Sequence, residues 1–231
     1  MKDLLIFDMD GVLVEVTESY RATIQETVKH FTGQQPTRTE IQDWKNRGGW
    51  NDDWLLSHHM IQERGGKVEY QTVVDHFQKI FHGDGTNGLM LREEWVAREG
   101  LFERLKAAHG LAVFTGRLRW EANMTLDRFA PGVFELVVGC DDVTKTKPDP
   151  EGIHKVRAQM PHRACWYVGD TVDDARSAKA AGVPFVGIAA PGNPRYGELV
   201  ELLRGEGAVA VLDDINSLEA VVMEAELGQN S

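Results

Sequence analysis

Four short segments carry residue types that could do chemistry together. They are Asp8-Met9-Asp10-Gly11, Thr115-Gly116-Arg117, Lys147 within Thr144-Lys145-Thr146-Lys147-Pro148-Asp149-Pro150, and Gly169-Asp170-Thr171-Val172-Asp173-Asp174. Brought together, they would supply at least four carboxylates, at least one hydroxyl and at least one lysine. Two unit charges ~4 Å apart repel by about 4 kcal/mol at an effective dielectric near 20, so clustered carboxylates call for a counter-charge. A hard divalent cation with oxygen-only ligands supplies it, and Mg²⁺ commonly shares such a site with a phosphate. An aspartate can itself act as a nucleophile and form an aspartyl-phosphate. A lysine beside it would neutralise phosphate and carboxylate together. A threonine hydroxyl and neighbouring backbone N–H groups would hold the phosphoryl oxygens.

These segments must be positioned by the elements around them. Residues 4–7 form a continuous apolar run, which suits a strand buried on both faces of a parallel sheet. Runs of strand length recur at 111–114, 136–138, 166–168, 185–189 and 209–212. Helical patterns lie between them, around 98–108, 118–129, 151–159, 173–181, 195–204 and 216–225. This alternation predicts βαβ units and a doubly wound α/β core with a parallel sheet. Ligands of such sheets bind at the carboxyl ends of the strands, where three of the four chemical segments begin.

The first strand stands apart from the others, separated by a stretch that reads as helices alone. Tyr20, Ile24, Val28 and Phe31 recur at helical spacing before Gly33, and Pro36-Thr37-x-x-Glu40 resembles a capping box. A further helix is expected from Asn51 to Gly65-Gly66. Another should present Tyr70, Val73, Val74, Phe77, Ile80 and Phe81 on one face. The expected organisation is a core of residues 1–15 and 90–231, with a small α-helical domain of residues 16–89 inserted after the first strand.

Composition bounds the function class. The 231 residues carry 25 Lys+Arg against 36 Asp+Glu, a formal net charge of −11, which argues against a nucleic-acid-binding protein. No apolar run reaches the ~18 residues of a membrane span, and the apolar stretch at 4–7 is too short for a signal-peptide core, so a cytoplasmic protein is expected. Two cysteines, Cys140 and Cys165, cannot build a disulfide framework or a four-thiolate zinc site.

The motif set as a whole resembles the haloacid dehalogenase-like superfamily of hydrolases, in its phosphatase branch near the phosphoglycolate phosphatases. Asp8-x-Asp10, Thr115, Lys147, and Asp170 with Asp174 occur in the family's order, and the helical insert resembles its small cap. The resemblance implies that Asp8 attacks phosphorus and that Asp10 protonates the leaving oxygen, then serves as base for the hydrolytic water. It implies Mg²⁺ held by the Asp8 side chain, the Asp10 backbone carbonyl and Asp170, with Asp174 binding directly or through water. Thr115, Gly116 and Lys147 would hold the phosphoryl group. Dehalogenases of the superfamily lack the second carboxylate, so Asp10 argues for phosphoryl transfer. One departure is Arg117: related phosphatases often place Asn soon after the motif-two hydroxyl, whereas here Gly116-Arg117 follows Thr115. Arg117 could meet substrate phosphate, meet the cap, or face solvent.

In relatives with this cap, substrate choice comes largely from cap residues facing the nucleophile. The loop Lys45-Asn46-Arg47-Gly48-Gly49-Trp50-Asn51 joins two predicted helices and leads into a helix N-terminus, a setting that favours anions. Lys45 or Arg47 could contact the substrate while Trp50 packs on it. Alternatively the loop is a helix-breaking turn, with Asn51 as N-cap and Trp50 and Trp54 packed as an i, i+4 core pair. Gly83-x-Gly85-x-x-Gly88 follows a helix rather than a strand and reads as the return to the core, not as a dinucleotide site. The expected substrate is a small phosphorylated metabolite, and the expected assembly a monomer or homodimer. A sugar-phosphate mutase of the β-phosphoglucomutase type and a non-catalytic phosphate-binding module are the alternatives.

Overall fold

The computed structural model describes residues 2–229, with side chains described to residue 224. The chain divides into two compact units. One comprises the chain up to Val14 together with the segment from Trp95 onward, and the other spans Glu15–Glu94. The chain passes between them in two-residue strands, β2 (Val14–Glu15) and β3 (Glu94–Trp95), which periodicity does not reveal because two residues carry no period.

The first unit is built on a six-stranded parallel sheet. Its strands are β1 (Asp3–Phe7), β4 (His109–Phe114), β5 (Leu136–Val138), β6 (Cys165–Gly169), β7 (Phe185–Ile188) and β8 (Ala210–Leu212), in the spatial order β5-β4-β1-β6-β7-β8. The central strands β1 and β6 are buried at every position, which is why they read as unbroken apolar runs rather than as alternation. The one charge in β1, Asp3, is neutralised at the amino end of the sheet by Arg163, with Nε and Nη2 2.8 and 2.9 Å from its two oxygens. Val209, expected within the last strand, lies outside it and is exposed.

The helices of this unit are α5 (Leu101–Ala108), α6 (Arg119–Phe129), α7 (Glu151–Gln159), α8 (Val172–Ala181), α9 (Tyr196–Gly205) and α10 (Leu218–Gln229). Helices α5 to α9 lie between successive strands of the sheet and α10 follows the last, and every strand pair of the sheet is parallel. Strand order reverses at β1: β4 and β5 lie to one side, β6, β7 and β8 to the other. The carboxyl ends of β4, β1 and β6 meet at that switch point, the place where open α/β sheets bind their ligands.

The second unit holds α1 (Ala22–Thr32), α2 (Arg38–Arg47), α3 (Asp53–Glu63) and α4 (Tyr70–His82). Ile24, Val28, Leu56, Met60, Val73, Phe77 and Phe81 are fully buried, and the Tyr20 ring centroid lies 4.1 Å from that of Phe81. Thr37 and Glu40 form the capping box expected at the start of α2. Tyr70, expected on the buried face of α4, is more exposed than the rest because it starts the helix. The N-cap of α3 is Asp52, not Asn51: its carboxylate accepts the N–H groups of Trp54 and Leu55 at 2.9 and 3.0 Å. Trp50 precedes the helix, and its ring partners are Trp44 and His59 rather than Trp54.

Candidate active site

Adjacent strands gather the chemical segments. Asp8 follows β1, Thr115 follows β4 and Asp170 follows β6. The backbone ladder runs to the last residue before the site, since the Asp8 N–H donates to Val168 O at 2.8 Å and the Thr115 N–H to Val138 O at 3.0 Å. Residues more than 100 apart in sequence thus become neighbours through strand pairing alone.

Lys147 lies at the centre of the cluster. Its Nζ is 2.7 Å from Asp8 Oδ1 and 2.7 Å from Asp174 Oδ1, and all three side chains are sealed from solvent. Burial pushes the Asp8 carboxyl up to about 7. Lys147 opposes that shift, while Asp174 and Asp10 add to it. Burial alone would lower the Lys147 pKa, but the Asp174 and Asp8 carboxylates outweigh it and hold the ammonium firmly protonated. Asp174 resists the upward push of burial because Lys147, Thr171 and Tyr167 all stabilise its charge, and its pKa falls below the ordinary value.

The Asp174 carboxylate is unusually well furnished with donors. Oδ2 accepts the Thr171 N–H at 3.0 Å and the Thr171 hydroxyl at 2.6 Å, and the Tyr167 hydroxyl lies 2.8 Å from Oδ1. Thr171 is also the N-cap of α8, so Asp174 completes a capping box and faces Lys147 at the same time. The spacing Thr-x-x-Asp makes that cap legible in the sequence. Tyr167 carries no such signal, because a tyrosine inside an apolar strand reads as core, and only the strand's neighbours reveal where its hydroxyl ends.

Asp8, Asp170 and Asp174 each offer a carboxylate oxygen, and these three oxygens lie within 4.8 Å of one another. Gly11 makes the approach of Asp170 feasible. It adopts φ +75°, and a Cβ there would stand 2.1 Å from Asp170 Oδ2. Asp10, Asp8, Asp170 and Asp174 bring four carboxylates to this region against two cations, Lys147 and Arg117. The surplus negative charge in a largely buried setting fits a divalent cation held by oxygen ligands.

Arg117 is buried rather than solvent-facing, and it meets the second aspartate of the first motif. Its Nε and Nη2 donate to Asp10 Oδ1 at 2.9 and 2.5 Å. Its Nη1 donates to the Thr125 hydroxyl at 2.9 Å, and its own backbone N–H donates to the Thr115 hydroxyl oxygen at 3.2 Å. The loop bearing Lys147 is tied down by Glu151, which accepts from the Thr144 N–H, the Thr144 hydroxyl and the Lys145 N–H at 2.6–3.1 Å. Neither Thr125 nor Glu151 carries a sequence signal that points to these roles.

In the helical unit, Lys45 is buried and ion-paired with Asp53, which Arg21 also approaches at 3.4 Å. Arg47 is exposed, its guanidinium 4.1 Å above the Trp44 ring. Trp50 packs against Trp44 and His59, with centroids 5.1 and 4.5 Å apart. The structure therefore brings Asp8, Asp170, Asp174 and Lys147 together around one point and gathers Asp10, Thr115 and Arg117 beside it. The charge of Lys45 is already used inside its own unit.

A model of the haloacid dehalogenase-like hydrolase family matches residues 5–188, and the chain belongs to that family. It is 25% identical over 207 residues to a phosphoglycolate phosphatase of Colwellia psychrerythraea, covering 85% of this chain and 88% of that one. It is 32% identical over 197 residues to an imidazoleglycerol-phosphate dehydratase of Phytophthora nicotianae, covering 81% of this chain but 43% of that longer protein. Among solved structures, a haloacid dehalogenase-like protein of unknown function from Agrobacterium tumefaciens superposes with a TM-score of 0.73 at 19% identity, covering 98% and 100% of the two chains, a likeness of fold. The protein is a phosphoglycolate phosphatase-like hydrolase of this family, and no helix among its described residues is long and apolar enough to cross a membrane.

Proposed function

We propose that the protein is a Mg²⁺-dependent phosphatase that hydrolyses a small phosphomonoester through an aspartyl-phosphate on Asp8. The observation that carries this reading is the Lys147 ammonium held 2.7 Å from both Asp8 and Asp174, beside the Asp170 carboxylate. A buried carboxylate whose charge is supported by a lysine is a nucleophile awaiting an electrophile that brings its own negative charge.

Mg²⁺ would be held by the Asp8 side chain, the Asp10 carbonyl and Asp170. Asp174 would act through water or through its field, because four donors already occupy its two oxygens. When bound, the cation offsets the charge that carboxylates and phosphoryl oxygens bring together. Asp8 forms the bond to phosphorus while Asp10 gives its proton to the departing ester oxygen. Asp10 then takes a proton from the water that cleaves the aspartyl-phosphate. Thr115, the Gly116 N–H and Lys147 hold the phosphoryl oxygens. Of the loop residues, Arg47 is the proposed substrate contact and Trp50 a packing surface for it, since Lys45 spends its charge on Asp53.

Phosphoglycolate is the first substrate to test, given the phosphatase relatives. The stretch shared with a protein named for imidazoleglycerol phosphate favours a second, an imidazole-bearing phosphomonoester such as histidinol phosphate. The test is phosphate release from a panel holding both, sugar phosphates, nucleotides and pyrophosphate, with Mg²⁺ or with chelator. Release that requires Mg²⁺ and disappears in Asp8→Asn is the expected result. No release from any member, with phosphoryl exchange between sugar phosphates instead, would transfer the assignment to a mutase.

A further inference from the structure

Arg117 holds the second aspartate of the site in a way the proposed chemistry does not by itself require. Two of its N–H donors fall on the same oxygen, Asp10 Oδ1, at 2.9 and 2.5 Å. A guanidinium is always charged and its fork is rigid, so two bonds converging on Oδ1 pin that oxygen, and the carboxylate cannot turn about its Cβ–Cγ bond without breaking both. The third arm, Nη1, is anchored on the buried hydroxyl of Thr125 in α6 at 2.9 Å. The Arg117 side chain is 1% exposed, whereas Asp10 is 22% exposed. The arginine therefore sits behind the aspartate, and the aspartate stands on the accessible side of the pair.

We infer that Arg117 is a positioning residue that assigns the two oxygens of Asp10 different tasks, with Thr125 setting the angle of the guanidinium. This rests on the phosphatase reading, in which Asp10 moves the proton. Oδ1 faces two N–H donors, and a proton placed there would point at other protons. Oδ2 is thus the oxygen that carries it. As Asp8 bonds to phosphorus, the ester P–O bond breaks and its electron pair stays on the departing oxygen, which takes the proton from Oδ2. In the second half-reaction water loses a proton to Oδ2 and its oxygen bonds to phosphorus, releasing phosphate and restoring Asp8. One fixed oxygen performs both transfers without a turn of the carboxylate.

The leaving group separates this role from a purely structural one. An alkyl oxygen needs the proton in the transition state and a p-nitrophenolate scarcely does, and general acid catalysis contributes typically 10²–10⁴-fold. The experiment measures kcat and KM of wild type, Arg117→Lys, Thr125→Val and Thr125→Ser on phosphoglycolate and on p-nitrophenyl phosphate. Thr125→Val is nearly isosteric and leaves the Arg117–Asp10 pair in place, so it reads the effect even if Arg117→Lys fails to fold. Expected for Thr125→Val is a roughly tenfold fall in kcat on phosphoglycolate, a change below about threefold on p-nitrophenyl phosphate, KM within about twofold, and recovery in Thr125→Ser. Arg117→Lys, which cannot fork, should lose more on phosphoglycolate with the same selectivity. Equal losses on both esters, a loss confined to KM, or no loss would overturn the inference while leaving the phosphatase assignment standing. Wild-type protein inactive on both esters and on the whole panel would overturn the assignment and this inference with it.

Discussion

Lys147 Nζ lies 2.7 Å from Asp8 Oδ1, and neither side chain is more than 5% exposed. A single ammonium thus balances the proposed nucleophile and Asp174 in a setting where an unpaired charge is costly. Removing one partner of a buried ion pair costs about 3–5 kcal/mol, because the other charge stays behind. Lys147→Met should therefore lower stability by roughly that amount and abolish turnover. Added Mg²⁺ should raise the melting temperature of this variant more than that of wild type, since the cation takes over part of the lost compensation. Thermal unfolding with Mg²⁺ and with chelator measures this, and equal shifts in both proteins would count against a cation beside Asp8.

Gly11 is the second point of sensitivity. At φ +75° an L side chain costs about 1–2 kcal/mol, and the added Cβ would meet Asp170 Oδ2 at 2.1 Å. The carboxylate must move if the methyl is present. Gly11→Ala should lose that stability and, separately, weaken Mg²⁺ affinity at least tenfold by titration calorimetry. A variant with wild-type affinity would mean that Asp170 does not contribute to the cation site.

Glu151 yields a pH prediction. Hydrogen bonds from the Thr144 hydroxyl, then from backbone N–H groups, hold its carboxyl down at about 2, against an ordinary 4.5. A group whose folded pKa is depressed stabilises the fold fully above its unfolded pKa and loses that contribution as pH falls through the folded one. The gap in melting temperature between wild type and Glu151→Gln should therefore be largest above about pH 5 and close towards pH 2. At neutral pH the variant should also lose kcat/KM, because the loop that Glu151 ties down carries Lys147.

The two cysteines should differ sharply in reactivity. Burial, opposed only by Arg157, pushes the Cys165 thiol up to about 12, whereas Cys140 is half-buried at the head of a short 3₁₀ turn. At pH 8 the native protein should react with one equivalent of a thiol reagent, mapped to Cys140 by peptide mass. Guanidinium should release the second. Two equivalents reacting at one rate in the native state would contradict the packing of β6.

Much of the fold and of the site is legible in the order of residues along the chain. Asp8, Thr115 and Asp170 each end an apolar run, and a parallel sheet buried on both faces turns such runs into strands with their ends aligned. Thr171-x-x-Asp174 and Thr37-x-x-Glu40 announce their helix caps because capping is local, set within one turn of backbone. Residue type and short spacing suffice wherever the interaction reaches only a few residues along the chain, or wherever many like runs must share one sheet.

Pairings between segments are decided by the tertiary structure alone. Arg117 could meet phosphate, cap or solvent on sequence grounds. Its burial against Asp10 and Thr125 depends on β1, β4 and α6 being placed together. Lys45 reads as a candidate anion contact until α2 and the start of α3 bring it to Asp53. Trp50 loses its expected partner Trp54 because its ring packs on Trp44 from α2 and His59 from α3 instead. Tyr167 looks like core in its strand, and only the return of α8 puts Asp174 within 2.8 Å of its hydroxyl. A charge or hydroxyl chooses its partner by distance in space, and a sequence determines such distances only through the packing of the whole fold.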